Sequence, residues 1–205
     1  MGLSGSRLKR ALDLGGATIL LILAAPLLAV AGLLVLVESG WPVFFGHWRV
    51  GQAGNRFRCW KLRTMAPDAQ RILERDGRLR DAYLANGYKL PNGHDPRVTR
   101  IGFWLRRTYI DELPQLVNVL AGDMSLVGPR PVVEEELREY GPHQGELLSV
   151  KPGVVGAWAC LGPRRPSYPE RARLELQYVR GHCFLGDLAI LFRSATVVLR
   201  GQPDS

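Results

Sequence analysis

Between Asp13 and Glu38 no charged side chain interrupts the chain. As a helix, a run of that length reaches across the hydrocarbon core of a bilayer, which takes about 20 apolar residues. Arg7, Lys9 and Arg10 precede it as they would in a signal peptide. Ala24-Ala25-Pro26, however, leads into further apolar residues instead of a polar mature start, so the segment is expected to stay attached. Pro26 lies near its middle, where the missing N–H and the ring's clash with the preceding turn predict a kink or break. Basic residues crowd both flanks: Arg7, Lys9 and Arg10 before, then Arg49, Arg56, Arg58, Lys61 and Arg63 after. Such residues belong on the cytoplasmic side of a membrane. A straight span satisfies one flank. A helix that bends at Pro26 and returns to the same face satisfies both, and puts Asp13, Glu38 and Trp41 near a single interface. Spanning helices tolerate proline, so the residues by themselves leave a re-entrant helix and a kinked single-pass anchor both open.

The remainder reads as one basic, polar domain, and a chain of 205 residues is long enough to bury a core. A formal charge of +8 points to an anionic partner: nucleic acid, phospholipid headgroups or a phosphorylated substrate. The basic residues form no recognition stripe and no known binding motif, which argues against nucleic acid. Cys59, Cys160 and Cys183 are odd in number and lack a CxxC pair; His47, His94, His143 and His182 are scattered. Neither set suggests a disulfide framework or a metal site, and a reducing compartment is the simpler reading.

Val43 to Thr64 mixes β-branched and aromatic residues around Gly51 and Gly54, which predicts a hairpin turning at Gln52–Asn55. Pro67 to Leu84 reads as a surface helix broken near Gly77, and Asn86 to Pro96 as a loop. A helix is expected to begin near Asp111, carry Leu113, Leu116, Val117 and Leu120 on one stripe, and stop at Gly122. Pro114 is tolerated there only in the first turn. Further helices are expected over Val132–Tyr140, Pro169–Tyr178 and Phe184–Leu199, the last with Asp187 and Arg193 as interior charges. Lys151–Gly162 is strand- or loop-like.

The densest chemistry runs from Asp95 to Pro131, DPRVTRIGFWLRRTYIDELPQLVNVLAGDMSLVGPRP. Asp111 and Glu112 follow closely on Arg106 and Arg107. A helix start and nearby guanidinium groups both favour an ionised carboxylate, and the guanidiniums bind phosphate. An ionised aspartate can attack phosphorus and form an acyl phosphate. A bare Asp-Glu pair is also a common helix cap with a surface ion pair. Arg130, held between Pro129 and Pro131, suits anion recognition or a plain structural turn. Lys61 and Arg63 in KLRTM close the hairpin as solvated charges or as ligands. Asp123, Arg164 and Arg165 are weaker candidates.

Taken together these segments resemble the bacterial sugar transferases, the monotopic phosphoglycosyl transferases that start glycan assembly on undecaprenyl phosphate. The likeness covers nearly the whole chain: LKRALDL, Pro26, KLRTM, DPRVTRIG, LRRTYIDELPQLVNVLAGDMSLVGPRP, KPGVVGAW and the terminal LGDLAIL…VVLRG. The resemblance implies an α+β, mostly helical fold: a re-entrant membrane helix broken at Pro26 over residues 1–40, then a small cytoplasmic catalytic domain over 41–205 with a short β-hairpin. It implies a bacterial inner-membrane enzyme on the cytoplasmic face, in contact with inner-membrane lipids and with downstream glycosyltransferases as further partners. Asp111 would attack the sugar-linked phosphate of a UDP-sugar, release UMP and hold the phospho-sugar covalently until undecaprenyl phosphate takes it. Glu112 would position Asp111 or the divalent ion, Mg²⁺ with Mn²⁺ as the alternative, and both carboxylates would face that ion. Lys61, Arg63, Arg106, Arg130 and Arg164 would surround the substrate phosphates. The family's KPG-x-x-G-x-W-Q-x-x-G-R pattern appears here as KPGVVGAWACLGPR, where Ala159 replaces the glutamine and Pro163 displaces Arg164 by one place; Glu175 stands at a position that is usually aspartate. Two other function classes, a membrane-anchored basic binding protein and a catalytically inactive scaffold, fit the charge or the fold but not the intact Asp-Glu pair. No residue selects among galactose, glucose, N-acetylated or diamino sugars.

Overall fold

The apolar run forms a single helix, α1 (Leu3–Ser39), in a computed structural model that describes residues 3–85, 90, 95–156 and 166–200. Helical structure runs on through Pro26, which leaves the Ile22 carbonyl without its usual backbone partner but does not end the helix. Its best window has a mean hydropathy of 2.9, enough to cross a membrane by length and composition. One stripe of α1 (Ala17, Leu21, Leu28, Ala31 and Val35) recurs at spacings of three, four and seven and packs on the rest of the protein. The other faces present Ile19, Ile22, Leu23, Val30, Leu33 and Val37 to the outside, with Val37 79% exposed. Water disfavours so much apolar surface, and acyl chains do not.

Both ends of α1 are tied to the same domain by polar contacts. At the start, Lys9 Nζ donates to the Val127 carbonyl (3.1 Å) and pairs with Asp187, and Arg10 donates to the carbonyls of Val119 (2.7 Å) and Leu120 (3.1 Å). Asp13, 3% exposed, accepts from Ser125 Oγ and the Leu126 amide, both at 2.9 Å. At the far end Glu38 accepts from the Ile101 amide (3.1 Å), and Arg63 donates to the Ser39 carbonyl (2.7 Å).

The expected hairpin is present as β1 (Phe44–Val50) and β2 (Arg56–Leu62), paired antiparallel with Phe45 opposite Lys61 and Arg49 opposite Phe57. The surface helix breaks as its sequence predicts, into α2 (Ala69–Arg75) and α3 (Gly77–Ala85). Helix α4 (Arg100–Arg107) is capped by Thr99, whose hydroxyl accepts from the Gly102 amide at 2.9 Å. Helix α5 (Gln115–Ala121) ends on left-handed Gly122, as expected, but begins after Pro114 and not at Asp111. Val132–Tyr140 is likewise not an α-helix: the segment Glu135–His143 is 3-10, turned aside by Gly141 and Pro142. A short α6 (Gln144–Leu147), then α7 (Glu170–Gly181) and α8 (Phe184–Arg200) complete the helices.

Strands β3 (Ser125–Val127) and β4 (Gly153–Val155) pair in parallel under the start of α1. The main core gathers Ala17, Phe57, Cys59, Leu116, Val119, Met124 and Tyr178; a second joins Ala31 and Val35 to Val43, Leu62 and Leu105. Just past β3 the chain touches β4 backbone to backbone: a Cβ on Gly128 would lie 2.5 Å from the Lys151 carbonyl oxygen and 2.7 Å from the Gly153 amide nitrogen. Neither atom belongs to a flexible side chain. Gly128→Ala should therefore cost about 1–3 kcal/mol of stability, the usual range for overpacking, seen as a lower thermal midpoint in detergent; an unchanged midpoint would mean that this contact is slack.

Candidate active site

The Asp-Glu pair sits between α4 and α5 in one 3-10 turn, Ile110–Glu112, entered through Tyr109 in the left-handed region at φ 60°. That conformation costs a non-glycine residue on the order of 1 kcal/mol, and here it reverses the chain coming out of α4. Asp111 is buried, while Glu112 is half-exposed and pairs with Lys61 Nζ at 2.7 Å. Arg106, from the last turn of α4, donates from Nε to Thr64 Oγ1 at 2.9 Å.

These groups meet because three separate contacts hold their elements together. Gly102 lets α4 lie on the KLRT segment, for a Cβ there would fall 2.0 Å from the Thr64 carbonyl oxygen. Asp95 and Arg97 form a buried bidentate pair with two bonds of 2.8 Å, and the Arg97 carbonyl accepts from the Ala66 amide (2.8 Å), pinning DPR against the strand exit. Burial raises the proton affinity of Asp95, but the hydrogen bonds from Arg97 outweigh it and hold the carboxyl below its usual range. Asn118 fastens α5 to β2, accepting from the Trp60 amide (3.0 Å) and donating to the Arg58 carbonyl (2.7 Å). Asn118 is not among the residues expected at the site, although a buried amide inside the apolar run LVNVL is the signal that could have found it.

The protonation of Asp111 departs from expectation. A helix start and neighbouring arginines predict an easily ionised carboxyl. In the folded protein, burial and then the charge of Glu112 push it up to about 6, against the opposing pull of Lys61 and Arg106. Lys61 spends its ion pair on Glu112, and among the described residues no side chain hydrogen-bonds Asp111. Because the folded value lies above that of an unfolded aspartate, ionising Asp111 costs stability. The cost is absent below about pH 4, grows through about pH 6 and is fully present at neutral pH.

Of the remaining expected ligands, Arg130 follows β3 in the Gly128–Pro131 turn, two residues before Val132, whose carbonyl accepts from the Val50 amide at the end of β1 (2.9 Å). Arg63 is turned away from the pair: it is buried against the end of α1 and occupied by the Ser39 and Gly40 carbonyls. Arg164 lies outside the described residues. A cavity of about 630 Å³ opens at the hairpin turn between Gln52 and Ser149, but neither Asp111 nor Lys61 is on its wall.

As metal ligands, Asp111 and Glu112 stand alone, since among the described residues no cluster of three Asp, Glu, His or Cys could hold an ion. Two carboxylates suit Mg²⁺, which keeps waters and takes further oxygens from a substrate's phosphates. The repulsion that raises Asp111 is one that a cation relieves.

Residues 4–201 match the family described as bacterial sugar transferase. The chain belongs to that family. It is 41% identical over 196 residues to the UDP-galactose-lipid carrier transferase of Erwinia amylovora and equally to the undecaprenyl-phosphate galactose phosphotransferase of Salmonella typhimurium, covering 94% of this chain and 40% of each relative. It is 40% identical to the exopolysaccharide production protein ExoY of Rhizobium meliloti, covering 95% of this chain and 86% of that protein. The chain thus spans less than half the length of the first two relatives and most of the third.

In a ¹³C-carboxyl titration of the full chain without divalent cations, one aspartate should titrate near pH 6. Its midpoint should fall in Glu112→Gln, which removes a like charge, and rise in Lys61→Met, which removes an opposite one. A midpoint indifferent to both substitutions would contradict an electrostatic origin for the shift.

Proposed function

We propose that this protein transfers a phospho-sugar from a UDP-sugar to undecaprenyl phosphate, with Asp111 as the nucleophile. The observation that carries the reading is a buried carboxylate that no side chain among the described residues pairs with, in the field of Lys61, Glu112 and Arg106. A carboxylate whose proton affinity is raised yet which is ionised at neutral pH is a better nucleophile than a solvated one, and burial strips the water that would compete with it.

In the first half-reaction an Asp111 carboxylate oxygen attacks the sugar-linked phosphorus. The bond from that phosphorus to the bridging oxygen breaks, UMP departs with the electron pair, and a mixed carboxylic-phosphoric anhydride remains. In the second, a phosphate oxygen of undecaprenyl phosphate attacks the same phosphorus, frees the Asp111 carboxylate and yields the lipid diphosphate sugar. Lys61 holds Glu112 beside the nucleophile, while Arg106 and Arg130 face the developing phosphoryl charge. Mg²⁺ held between Asp111, Glu112 and the diphosphate would neutralise the substrate charge that otherwise repels the carboxylate.

Features of α1 support a membrane placement. A helix whose outer faces are apolar, and whose two ends both bind one domain through Lys9, Arg10, Asp13, Glu38 and Ser39, suits a segment that dips into the cytoplasmic leaflet, bends at Pro26 and returns. That places the site at headgroup depth, where a lipid phosphate and a cytosolic nucleotide-sugar can both arrive. The names of the relatives, two of them galactose transferases, are consistent with a hexose-1-phosphate as the transferred group.

Asp111→Asn should reduce UMP release by about a thousandfold or more, the scale of losing a covalent nucleophile. The same variant should be more stable than wild type at pH 8 and no different near pH 4, because the cost of ionisation is gone; wild-type turnover by this variant would rule out Asp111. Cysteines placed at Ser4 and Arg75 in a cysteine-depleted background should both react with a membrane-impermeant maleimide only from the cytoplasmic side; labelling from opposite sides would make α1 a straight span.

A further inference from the structure

The hairpin carries a second basic group, beyond the one that faces the dyad. Because side chains alternate along a strand, Phe45, His47 and Arg49 share a face with their partners Lys61, Cys59 and Phe57. Arg49 lies four residues along that face from the position opposite Lys61, about 13 Å between Cα atoms at the usual strand rise.

Around Arg49 gather Arg130, whose segment is tied to the end of β1 where the Val50 amide donates to the Val132 carbonyl (2.9 Å), and Arg171, from α7. Glu136 lies between them, 3.5 Å from Arg49 Nη1 and 3.9 Å from Arg171 Nη1. Arg171 Nε also reaches Glu175 Oε1 at 3.2 Å, while the other oxygen of Glu175 accepts from the Tyr140 hydroxyl. Three guanidiniums therefore meet two carboxylates, one of them shared with a tyrosine. Arg171 is 5% exposed, yet its Nη2 is buried without a hydrogen-bond partner among the described residues, and no ion pair reaches Arg130 among them. Buried donors of this strength are normally satisfied, so the arrangement is short of one anion. Burial, followed by the charges of Arg171 and Arg49, disfavours the charged form of Arg130, against the opposing pull of Glu136 and Glu112.

We infer that Arg49, Arg130 and Arg171 form a second phosphate subsite, which holds the phosphate monoester bonded to the transferred phosphoryl group. This rests on the transfer reaction proposed above. In that reaction the departing UMP phosphate and the arriving lipid phosphate occupy the same side of the phosphorus in turn, so one subsite serves the shared chemistry of both. Arg49 and Arg171 are thereby binding residues, lying far from the dyad in sequence.

The test uses the full chain in detergent, titrated by calorimetry with UMP and, separately, with a short-chain polyprenyl phosphate, alongside turnover of a UDP-sugar. Arg49→Gln and Arg171→Lys should each weaken binding of at least one phosphate monoester about tenfold or more, the loss expected for a charge-assisted hydrogen bond. The thermal midpoint of Arg49→Gln should stay within the wild-type range, since that change removes only one long ion pair. Weakened UMP binding alone assigns the subsite to the nucleotide, weakened lipid binding alone assigns it to the acceptor, and weakening of both makes it common. Unchanged binding of both ligands in both variants overturns the subsite and leaves the transfer reaction standing if turnover persists. A wild type that binds UMP through these arginines but turns over no sugar nucleotide upholds the subsite and removes the proposed reaction.

Discussion

The joint between the first turns of α1 and the β3–α5 region is the contact on which the rest of the structure depends. Lys9, Arg10 and Asp13 supply a cation, a carbonyl-capping guanidinium and a buried carboxylate within two helical turns. Each satisfies backbone groups that the fold leaves open: the Val127 carbonyl, the C-terminal carbonyls of α5, and the Leu126 amide. Asp187 completes the joint from α8, taking Lys9 on one oxygen and the Tyr178 hydroxyl on the other at 2.7 Å. One polar knot therefore fixes the long apolar helix, a parallel strand pair and the last two helices relative to each other. The turn that carries Arg130 springs directly from that strand pair.

The buried carboxylate of the Asp-Glu pair is held by a different logic. Asp111 owes its properties to what the fold withholds: the nearest ammonium goes to Glu112, the helix start lies a turn further on, and water is largely excluded. An aspartate paired directly to Lys61 would ionise more easily. Glu112 thus does two things at once, absorbing the cation and adding repulsion that keeps its neighbour's proton affinity raised.

Elements whose determinants are local were legible in the amino-acid sequence. Gly51 and Gly54 mark the hairpin turn, Gly77 the break between α2 and α3, and Gly122 the stop of α5, each with its own backbone chemistry. The grouping of Lys61, Arg106 and the dyad was legible too, through recurring motifs in place of geometry. The parallel β3–β4 pair was not, because three-residue strands far apart in the chain have no periodicity to read. Nor was the raised proton affinity of Asp111, which arises from burial by elements distant in sequence. Arg63 shows the same limit from the other side. It belongs to a motif with Lys61, yet the strand ends at Leu62 and sends its guanidinium to the end of α1.

The stripe of α1 that includes Ala17, Ala31 and Val35 belongs to two of the protein's cores, while the opposite face of the same helix is suited to lipid. Anchor and domain are consequently inseparable as folding units. Cutting at the end of the helix would not liberate a soluble enzyme but would open both cores and orphan the Leu126 amide and Ser125 hydroxyl that Asp13 satisfies. Any membrane insertion of α1 would then be coupled to completion of the tertiary structure, and a borrowed hydrophobic tether, however well it inserted, would lack the inward-facing small residues on which the domain closes.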